Sequence, residues 1–311
     1  MTRARILPYD DTAIAEAARL IAAGKPVAMP TETVYGLAAD ATRGDAVAAI
    51  YAAKGRPSFN PLIVHVLDRA AAQAIADLPE AACNLADAFW PGPLTIVAPL
   101  KAGAPIASLA TAGLPTIALR SPAHPAMRDL LRVTDKPLAA PSANASGTIS
   151  PTRAAHVLRS LGDAIELIVD GGATKVGLES TIVAIEADHL RILRPGPVTA
   201  EQLVQASGLP ICGGASGRIE APGQLEQHYA PSKPVRLNAT EARDGEWLIG
   251  FGAVAGDVSL SAGGDLAEAA ARLFELLHQA DAGDAARIAF APVPDEGLGK
   301  AINDRLRRAA A

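Results

Sequence analysis

The chain has 311 residues, more than a single hydrophobic core usually fills, so we expect a main unit of about 200 residues and a smaller one. Half of the residues are hydrophobic, but no apolar run approaches the roughly 20 residues that span a bilayer. The first residues do not have the pattern of a signal peptide, so we do not expect secretion. The net charge of -5 argues against a nucleic-acid-binding protein. Two cysteines are too few for a disulfide framework, and with only six scattered histidines a zinc or iron site is not expected either. We expect a cytoplasmic protein without membrane contact.

Residues 1–210 predict alternating helices and short strands. Apolar residues at helical spacing after Asp11 predict a first helix that ends near Gly24. An apolar strand at residues 26–29 follows and places residues 31–33 at its carboxyl end, where sites of α/β proteins often gather. The further predicted helices lie at residues 44–53, 70–77, 80–89 and 152–161, and the further predicted strands at residues 62–67, 94–98, 116–119, 138–140, 167–169, 180–185 and 191–193.

Two threonines carry signals for helix starts. Thr152 is predicted to cap a helix that runs to Leu161, and Thr199 with Gln202 has the spacing of a capping box. The mixed order of elements predicts an α/β fold with a twisted sheet of mixed direction and flanking helices.

A second, smaller α/β unit is predicted after a linker. Glycine and proline are dense between residues 208 and 234, so we divide the chain into a main domain at 1–210, a linker at 211–234 and a C-terminal domain at 235–311. Its predicted strands lie at residues 235–237, 247–251 and 288–291, and its predicted helices at residues 265–279 and 298–310. Residues 297–300 (GLGK) lack the spacing of a phosphate loop and are assigned to the start of the last helix.

A short loop after the second helix is the clearest indication of a binding site. Residues 54–61 (KGRPSFNP) place Lys54 and Arg56 beside a predicted buried strand. Arginine offers a planar fork and lysine a point charge to a polyanion such as a triphosphate. On their own, the same two residues would more often form a solvated helix end, and the other motifs make binding the better interpretation. A nucleotide is therefore the first ligand to consider.

A second polar turn follows the predicted strand at residues 138–140. In residues 141–147 (PSANASG), small hydroxyl and amide side chains could bond phosphate or carboxylate oxygens without crowding them. Ser142, Asn144 and Ser150 could also simply form a turn, because these residue types bond to their own backbone.

The order of motifs resembles the YrdC-like threonylcarbamoyl-AMP synthases. The resemblance runs from about Thr12 to Ser207 and rests on both polar loops together with residues 30–37 (PTETVYGL), 90–95 (WPGPLT), 177–181 (GLEST) and 194–196 (RPG). Residues 228–231 (HYAP) resemble the linker of the long, two-domain members. Gln224 departs from that linker, because the family pattern has methionine after the glycine, and Glu226 and Gln227 are also atypical.

The resemblance implies a YrdC-like fold and two sets of binding residues. Lys54 and Arg56 would be catalytic through their contacts with the phosphates of ATP. The residues implied around ATP are Lys54, Arg56, Asn60, Thr116, Ser142, Asn144, Ser150, Arg194 and Tyr229. The residues implied around L-threonine are Thr33, His65, Arg120, Ala140 and Ser180. From residue type alone, His65 would be a core histidine and Arg120 a surface charge, whereas the family pattern makes Arg120 the partner of the threonine carboxylate.

The implied reaction forms threonylcarbamoyl-AMP and pyrophosphate from L-threonine, bicarbonate or carbon dioxide, and ATP, with Mg²⁺ carried by the nucleotide. The product would pass to separate enzymes that transfer the threonylcarbamoyl group to tRNA, and a weak contact with tRNA itself is left open. Glu32 and Glu179 are acid/base candidates that stay unassigned, because carboxylates at strand ends commonly pair with arginine.

Two other classes of function remain as alternatives. An RNA-binding module of the same fold would show salt-sensitive RNA binding without threonine-dependent pyrophosphate release. A related carbamoyl-transfer enzyme would act on carbamoyl phosphate without threonine.

Overall fold

The computed structural model describes residues 3–213 and 229–311. Helices in this part of the chain are α1 (Asp11–Ala22), α2 (Gly44–Lys54), α3 (Arg69–Ile75), α4 (Glu80–Phe89), α5 (Pro125–Thr134), α6 (Ala154–Leu161), α7 (Ala200–Ser207), α8 (Leu266–Ala282) and α9 (Gly299–Ala309). The strands are β1 (Arg5–Pro8), β2 (Val27–Met29), β3 (Gly36–Asp40), β4 (Ile63–His65), β5 (Leu94–Pro99), β6 (Thr116–Arg120), β7 (Leu138–Ala139), β8 (Leu167–Asp170), β9 (Thr181–Ile185), β10 (Leu190–Arg194), β11 (Val235–Arg236), β12 (Glu246–Gly250), β13 (Val258–Ser259) and β14 (Arg287–Phe290).

Within the described ranges, ten strands form one large sheet in the order β1-β8-β2-β3-β7-β4-β6-β5-β9-β10. The sheet contains both parallel and antiparallel strand pairs. Strand β4 runs parallel to β6, whereas β4 and β7, β5 and β6, and β9 and β10 are antiparallel. The predicted mixed α/β fold is therefore confirmed. Among the described residues, no helix is both long and apolar enough to cross a bilayer.

The central strands are buried on both faces and position the polar loops. Strand β4 pairs with β6 so that His65 lies opposite Arg120, and it pairs with β7 on its other side, where His65 lies opposite Leu138. The carboxyl ends of β4 and β6 therefore bring a histidine and an arginine side by side. Strand β7 leads directly into the Ser142 turn, which bridges back to Gly36.

A second, all-parallel sheet follows the undescribed residues 214–228, in the order β11-β14-β12-β13. Its core continues into the site-bearing loops of the first sheet, because Val34, Ile149 and Leu178 pack in one apolar cluster with Leu273 and Phe274 of α8. The two sheets therefore share buried apolar surface, which stabilises their association. The predicted features of Gln224, Glu226, Gln227 and His228 lie outside the described residues.

The helix caps give one confirmed prediction and one correction. Thr199 forms a complete capping box with Gln202 at the start of α7, as predicted. Thr152 does not cap α6, because the helix begins at Ala154 and the N-cap position is Arg153. The hydroxyl of Thr152 lies instead 3.3 Å from Nδ1 of His156. Three strands, β1, β3 and β13, and helix α5 were not predicted from the sequence.

Candidate active site

One cavity collects most of the predicted binding residues. It opens where the carboxyl ends of β2, β4 and β6, the turn after β7 and the start of β9 meet. Nine of the predicted residues line it: Thr33, Arg56, His65, Arg120, Ala140, Ser142, Ser180, Arg194 and Tyr229. Lys54, Asn60, Thr116, Asn144 and Ser150 do not line it.

The loop after β2 forms one wall and is held by a threonine. Oγ1 of Thr31 donates to the carbonyl of Val34 at 2.6 Å and accepts from the backbone N–H groups of Thr33 and Val34. The hydroxyl of Thr33 lies 2.9 Å from that of Thr31. This self-bonded turn fixes Thr33 at the cavity wall.

Arg120, at the end of β6, is positioned by Glu32. Its Nη2 donates to Oε1 of Glu32 at 2.6 Å, and its Nε donates to the carbonyl of Gly92 at 3.2 Å. Nη1 has no hydrogen-bond partner among the described residues, so this edge of the guanidinium fork remains available to a ligand. Burial raises the pKa of Glu32, but Arg120 and backbone N–H groups lower it by more, so the carboxyl stays ionised.

His65 is buried beside Arg120, and neither of its ring nitrogens has a hydrogen-bond partner among the described residues. Burial and the neighbouring Arg120 hold its pKa well below the usual range, so the imidazole is neutral. A neutral imidazole offers one donor and one acceptor. Unpaired buried polar groups of this kind call for a ligand or a water molecule.

The opposite wall is the start of β9, where Ser180 is held from two sides. Its hydroxyl lies 2.7 Å from that of Thr95 on β5, and Arg194 donates from Nε and Nη2 to its carbonyl at 3.1 and 2.9 Å. Nη2 of Arg194 also reaches the Ser180 hydroxyl at 3.1 Å. Gly196 approaches this backbone so closely that a Cβ would lie 2.4 Å from the amide nitrogen of Thr181.

Lys54 lies behind the Ser142 turn rather than in the cavity lining. Its Nζ donates to the carbonyl oxygens of Ser142 at 2.6 Å and Asn144 at 2.5 Å, and its own carbonyl accepts from the N–H of Ser146. Burial, and then the nearby Arg56, hold its pKa well below the usual range. Lys54 therefore braces the predicted phosphate-binding turn, and two of its three N–H groups are already used.

Arg56 faces the cavity from the loop after α2. It donates from Nε to the carbonyl of Asn60 at 3.3 Å and from Nη2 to the carbonyl of Pro61 at 3.0 Å. Its burial lowers its pKa to about 10. The side-chain oxygens of Asn60 and Asn144 are both buried and have no hydrogen-bond partner in the described parts of the chain.

The cavity therefore carries an excess of positive charge. Arg56 and Arg194 line the cavity and are buried, and the hydrogen bonds that their side chains donate go to neutral oxygens. The lining carboxylate Glu179 interacts with Arg194 but is itself paired with Arg305. A buried charge without a counter-ion costs several kcal/mol or more. An anionic ligand would lower that cost.

Glu179 connects the cavity to the C-terminal sheet. One carboxyl oxygen accepts from the hydroxyl of Ser150, and the other accepts from Nε of Arg305 on α9 at 2.8 Å. Burial raises the pKa of Glu179, but Arg305, Arg194 and Ser150 lower it by more. The ring of Tyr229 lies against Arg305, with 5.2 Å from the guanidinium carbon to the ring centroid.

Thr116 lies apart from the cavity, because it opens β6 opposite Pro99, whereas Arg120 closes the same strand. Two contacts were missed from the sequence. Glu32 and Glu179 were left unassigned, although each is the buried partner of an arginine. Arg305 carried no local signal, because its partner Glu179 lies 126 residues away in the chain.

The fold and the cavity define an α/β protein with a cationic, ligand-binding site at the carboxyl ends of its strands. A family model described as "Telomere recombination", which covers Sua5, YciO and YrdC, matches residues 19–196. A model described as "Threonylcarbamoyl-AMP synthase, C-terminal domain" matches residues 198–311. The chain therefore belongs to the Sua5/YciO/YrdC family and carries the C-terminal domain of Sua5, which confirms the resemblance found in the sequence.

Similar proteins cover nearly the whole chain. The threonylcarbamoyl-AMP synthase of Bacillus subtilis is 40% identical over 98% of this chain and 94% of its own length. That of Pyrococcus abyssi is 38% identical over 94% of this chain and 93% of its own length. The crystal structure of Pyrococcus abyssi Sua5 with L-threonine superposes with a TM-score of 0.89, at 37% identity, covering 98% of this chain and 97% of that one.

Proposed function

We propose that this protein is an L-threonylcarbamoyladenylate synthase, which forms threonylcarbamoyl-AMP and pyrophosphate from L-threonine, bicarbonate or carbon dioxide, and ATP. The observation that carries the proposal is the convergence of Arg56 and Arg194, two buried guanidinium groups that line the cavity and whose side chains bond to neutral oxygens. A triphosphate supplies the missing negative charge. The family membership and the named activity of its relatives support the same assignment.

L-Threonine fits the half of the cavity formed by Arg120, His65 and Thr33. The free edge of the Arg120 fork suits a carboxylate, and Glu32 holds that fork in place. The unpaired nitrogens of His65 and the hydroxyls of Thr33 and Ser180 suit the amine and hydroxyl of threonine. A site that bonds a substrate hydroxyl rejects analogues without one. The bound threonine of the similar Pyrococcus abyssi structure supports this half of the proposal.

The reaction needs positioning and charge neutralisation rather than a protein nucleophile. The amine of threonine adds to carbon dioxide and loses a proton, which gives a carbamate. A carbamate oxygen then attacks the α-phosphorus of ATP, the bond from the α-phosphorus to the bridging oxygen breaks, and pyrophosphate leaves with the bonding electrons. Arg56 would stabilise the charge that develops on the phosphates, and Lys54 would hold the turn on which they rest.

Magnesium would enter with ATP. The cavity-lining carboxylate Glu179 and the neighbouring Glu32 are both committed to arginines, and no group of three or more metal-binding side chains occurs among the described residues. The site therefore fits a metal ion that the phosphates carry, and such an ion would neutralise phosphate charge there. Downstream enzymes that transfer the threonylcarbamoyl group to tRNA, a weak tRNA contact and a cytoplasmic location remain expectations from the sequence.

The test is product analysis by mass spectrometry in a reaction of the full chain with ATP, Mg²⁺, bicarbonate and L-threonine. We expect threonylcarbamoyl-AMP and an equal amount of pyrophosphate, and neither when any substrate is omitted. Arg56→Ala should abolish most of the product, whereas Arg19→Ala, on the exposed face of α1, should not. Salt-sensitive RNA binding without threonine-dependent pyrophosphate release would contradict the proposal.

A further inference from the structure

Arg305 is a buried charge whose position is not explained by helix packing. It lies on helix α9 of the C-terminal domain, from which Ile302, Leu306 and Ala309 already pack into the apolar core. Its side chain is 1% exposed, although arginine is rarely buried without a specific role. Burying a guanidinium costs several kcal/mol before any partner is counted. An apolar residue would pack at this place more cheaply.

The contacts of Arg305 lead into the proposed ATP site instead. Nε donates to Glu179 at 2.8 Å, and Nη1 donates to the neighbouring Asp304 at 2.6 Å. Nη2 is buried and has no hydrogen-bond acceptor in residues 3–213 and 229–311. Burial lowers the pKa of Arg305, but Tyr229, Glu179 and Asp304 raise it by more, so the charge persists. The ion pair with Glu179 joins α9 directly to the cavity.

Two residues predicted to bind ATP depend on this cation. Glu179 accepts the hydroxyl of Ser150, so Arg305 fixes Ser150 through one intermediate side chain. Tyr229 lines the cavity with a backbone φ of 65°, a left-handed conformation that is uncommon outside glycine. Its ring is held between Arg305 and Phe274, at centroid distances of 5.2 and 5.6 Å. These contacts hold a conformation that the tyrosine alone would rarely adopt.

The threonine half of the cavity does not depend on Arg305 in the same way. Ser180, which follows Glu179, is anchored by Arg194 and Thr95. Arg120 is anchored by Glu32. Loss of Arg305 should therefore weaken ATP binding more than threonine binding.

We infer that Arg305 is a positioning residue supplied by the C-terminal domain, which sets Glu179, Ser150 and Tyr229 for ATP. The inference rests on the proposed function, because it takes ATP as the ligand of that half of the cavity. The C-terminal domain thereby completes the site rather than only covering it.

The test compares Arg305→Gln with Arg307→Gln, an exposed position on the same helix. ATP and L-threonine binding are measured separately by calorimetry on the full chain, and kcat and both KM values by pyrophosphate release. We expect Arg305→Gln to weaken ATP binding roughly tenfold or more and to raise the KM for ATP equally, with threonine binding changed less than about twofold. Arg307→Gln should leave both unchanged.

A double variant separates positioning from simple stabilisation. Because Arg305 acts through Glu179, Arg305→Gln combined with Glu179→Gln should weaken ATP binding no more than the larger single effect. Arg305→Lys keeps the positive charge without the planar fork, so it should recover part of the ATP affinity. If Arg305→Gln does not fold, ATP and threonine binding are compared in Arg305→Lys instead.

Normal ATP affinity in a folded Arg305→Gln or Arg305→Lys variant would overturn the inference. An equal loss for both substrates, in step with a lower melting temperature, would overturn it too and make Arg305 merely structural. A wild-type protein that binds ATP but releases no pyrophosphate with threonine would refute the proposed function instead. The ATP-binding comparison would then still decide the role of Arg305.

Discussion

Glu32 and Arg120 form a buried ion pair beside the cavity, with 2.6 Å between Oε1 of the glutamate and Nη2 of the arginine. The second oxygen of Glu32 accepts from the backbone N–H of Ala123 at 3.0 Å. The pair therefore ties the loop after β2 to the end of β6. It also directs the arginine fork so that Nη1 stays available for the proposed carboxylate of threonine.

Glu32→Gln should weaken threonine binding and destabilise the protein. Removal of one partner from a buried ion pair leaves the other charge uncompensated, which costs about 3–5 kcal/mol in the free energy of unfolding. We expect calorimetry to show threonine binding weakened about tenfold or more and ATP binding changed much less. Glu16→Gln is the matched control, because Glu16 pairs with Arg19 at the surface, where such pairs contribute about 1 kcal/mol or less. Threonine binding unaffected by Glu32→Gln would contradict the role given to the pair.

Lys54→Met should damage the ATP half of the site through the turn that follows β7. The substitution leaves the carbonyls of Ser142 and Asn144 buried without a donor, at a cost of about 1–3 kcal/mol each. We expect weaker ATP binding and a lower urea midpoint, with threonine binding largely kept. Lys101→Met is the control, because Lys101 also bonds a carbonyl but from an exposed position. An unchanged urea midpoint with lost ATP affinity would instead make Lys54 a direct phosphate ligand.

Gly177→Ala should loosen the contact between the two sheets. Gly177 has a φ of +76°, and a Cβ there would lie 2.5 Å from the carbonyl oxygen of Ala270 on α8. Gly172 has a φ of +81° but open space around it, so Gly172→Ala reports the backbone strain alone. We expect Gly177→Ala to cost about 1–3 kcal/mol more than Gly172→Ala in urea unfolding, because overpacking adds to the strain. Equal costs would show that α8 yields to the added methyl group.

Local motifs predicted residues that the fold brings to the cavity where those residues lie at or next to the ends of short buried strands. Thr33 follows β2, His65 and Arg120 close β4 and β6, and Ser180 directly precedes β9. The pairing of β4 with β6 brings His65 opposite Arg120. Thr199 was likewise predictable, because a capping box is defined within four residues. Strand β3 was missed because Gly36–Asp40 holds alanine and glycine and no β-branched residue, and only its neighbours β2 and β7 make it a strand.

Long-range pairings could not be predicted from the sequence. Lys54 resembles a phosphate ligand in the local motif, but the fold directs it to carbonyls 88 and 90 residues further along the chain. Arg305 lies in a helix whose pattern predicts only an amphipathic face, and its role depends on Glu179 in the loop before β9. Such pairings require the tertiary arrangement that brings the two sheets together.

The stacked histidines His156 on α6 and His278 on α8 predict acid sensitivity of the sheet-to-sheet contact. Their ring centroids are 3.8 Å apart, and Nε2 of His278 donates to the carbonyl of Ser150. Burial, then the neighbouring positive charges, lower the pKa of His156 to about 3. Burial likewise lowers the pKa of His278 to about 4, although its bond to Ser150 and the nearby carboxylates oppose this. Both rings are therefore neutral in the folded protein at neutral pH.

The unfolded chain binds protons at these histidines near pH 6.5, whereas the folded protein does not. The contribution of the neutral histidines to the free energy of unfolding is therefore complete above pH 6.5 and is lost as the pH falls toward 4. For His278 the loss is roughly 3 kcal/mol. The surrounding Arg153, Arg159, Glu275 and Asp281 set the local charge.

Urea unfolding between pH 7 and 4.5 checks this dependence. We expect a steep loss of stability in the wild type, a shallower slope in His278→Gln, and an unchanged slope in His189→Gln, where His189 pairs with Asp188 near the surface. Parallel slopes for the wild type and His278→Gln would assign the acid sensitivity to the carboxylates instead.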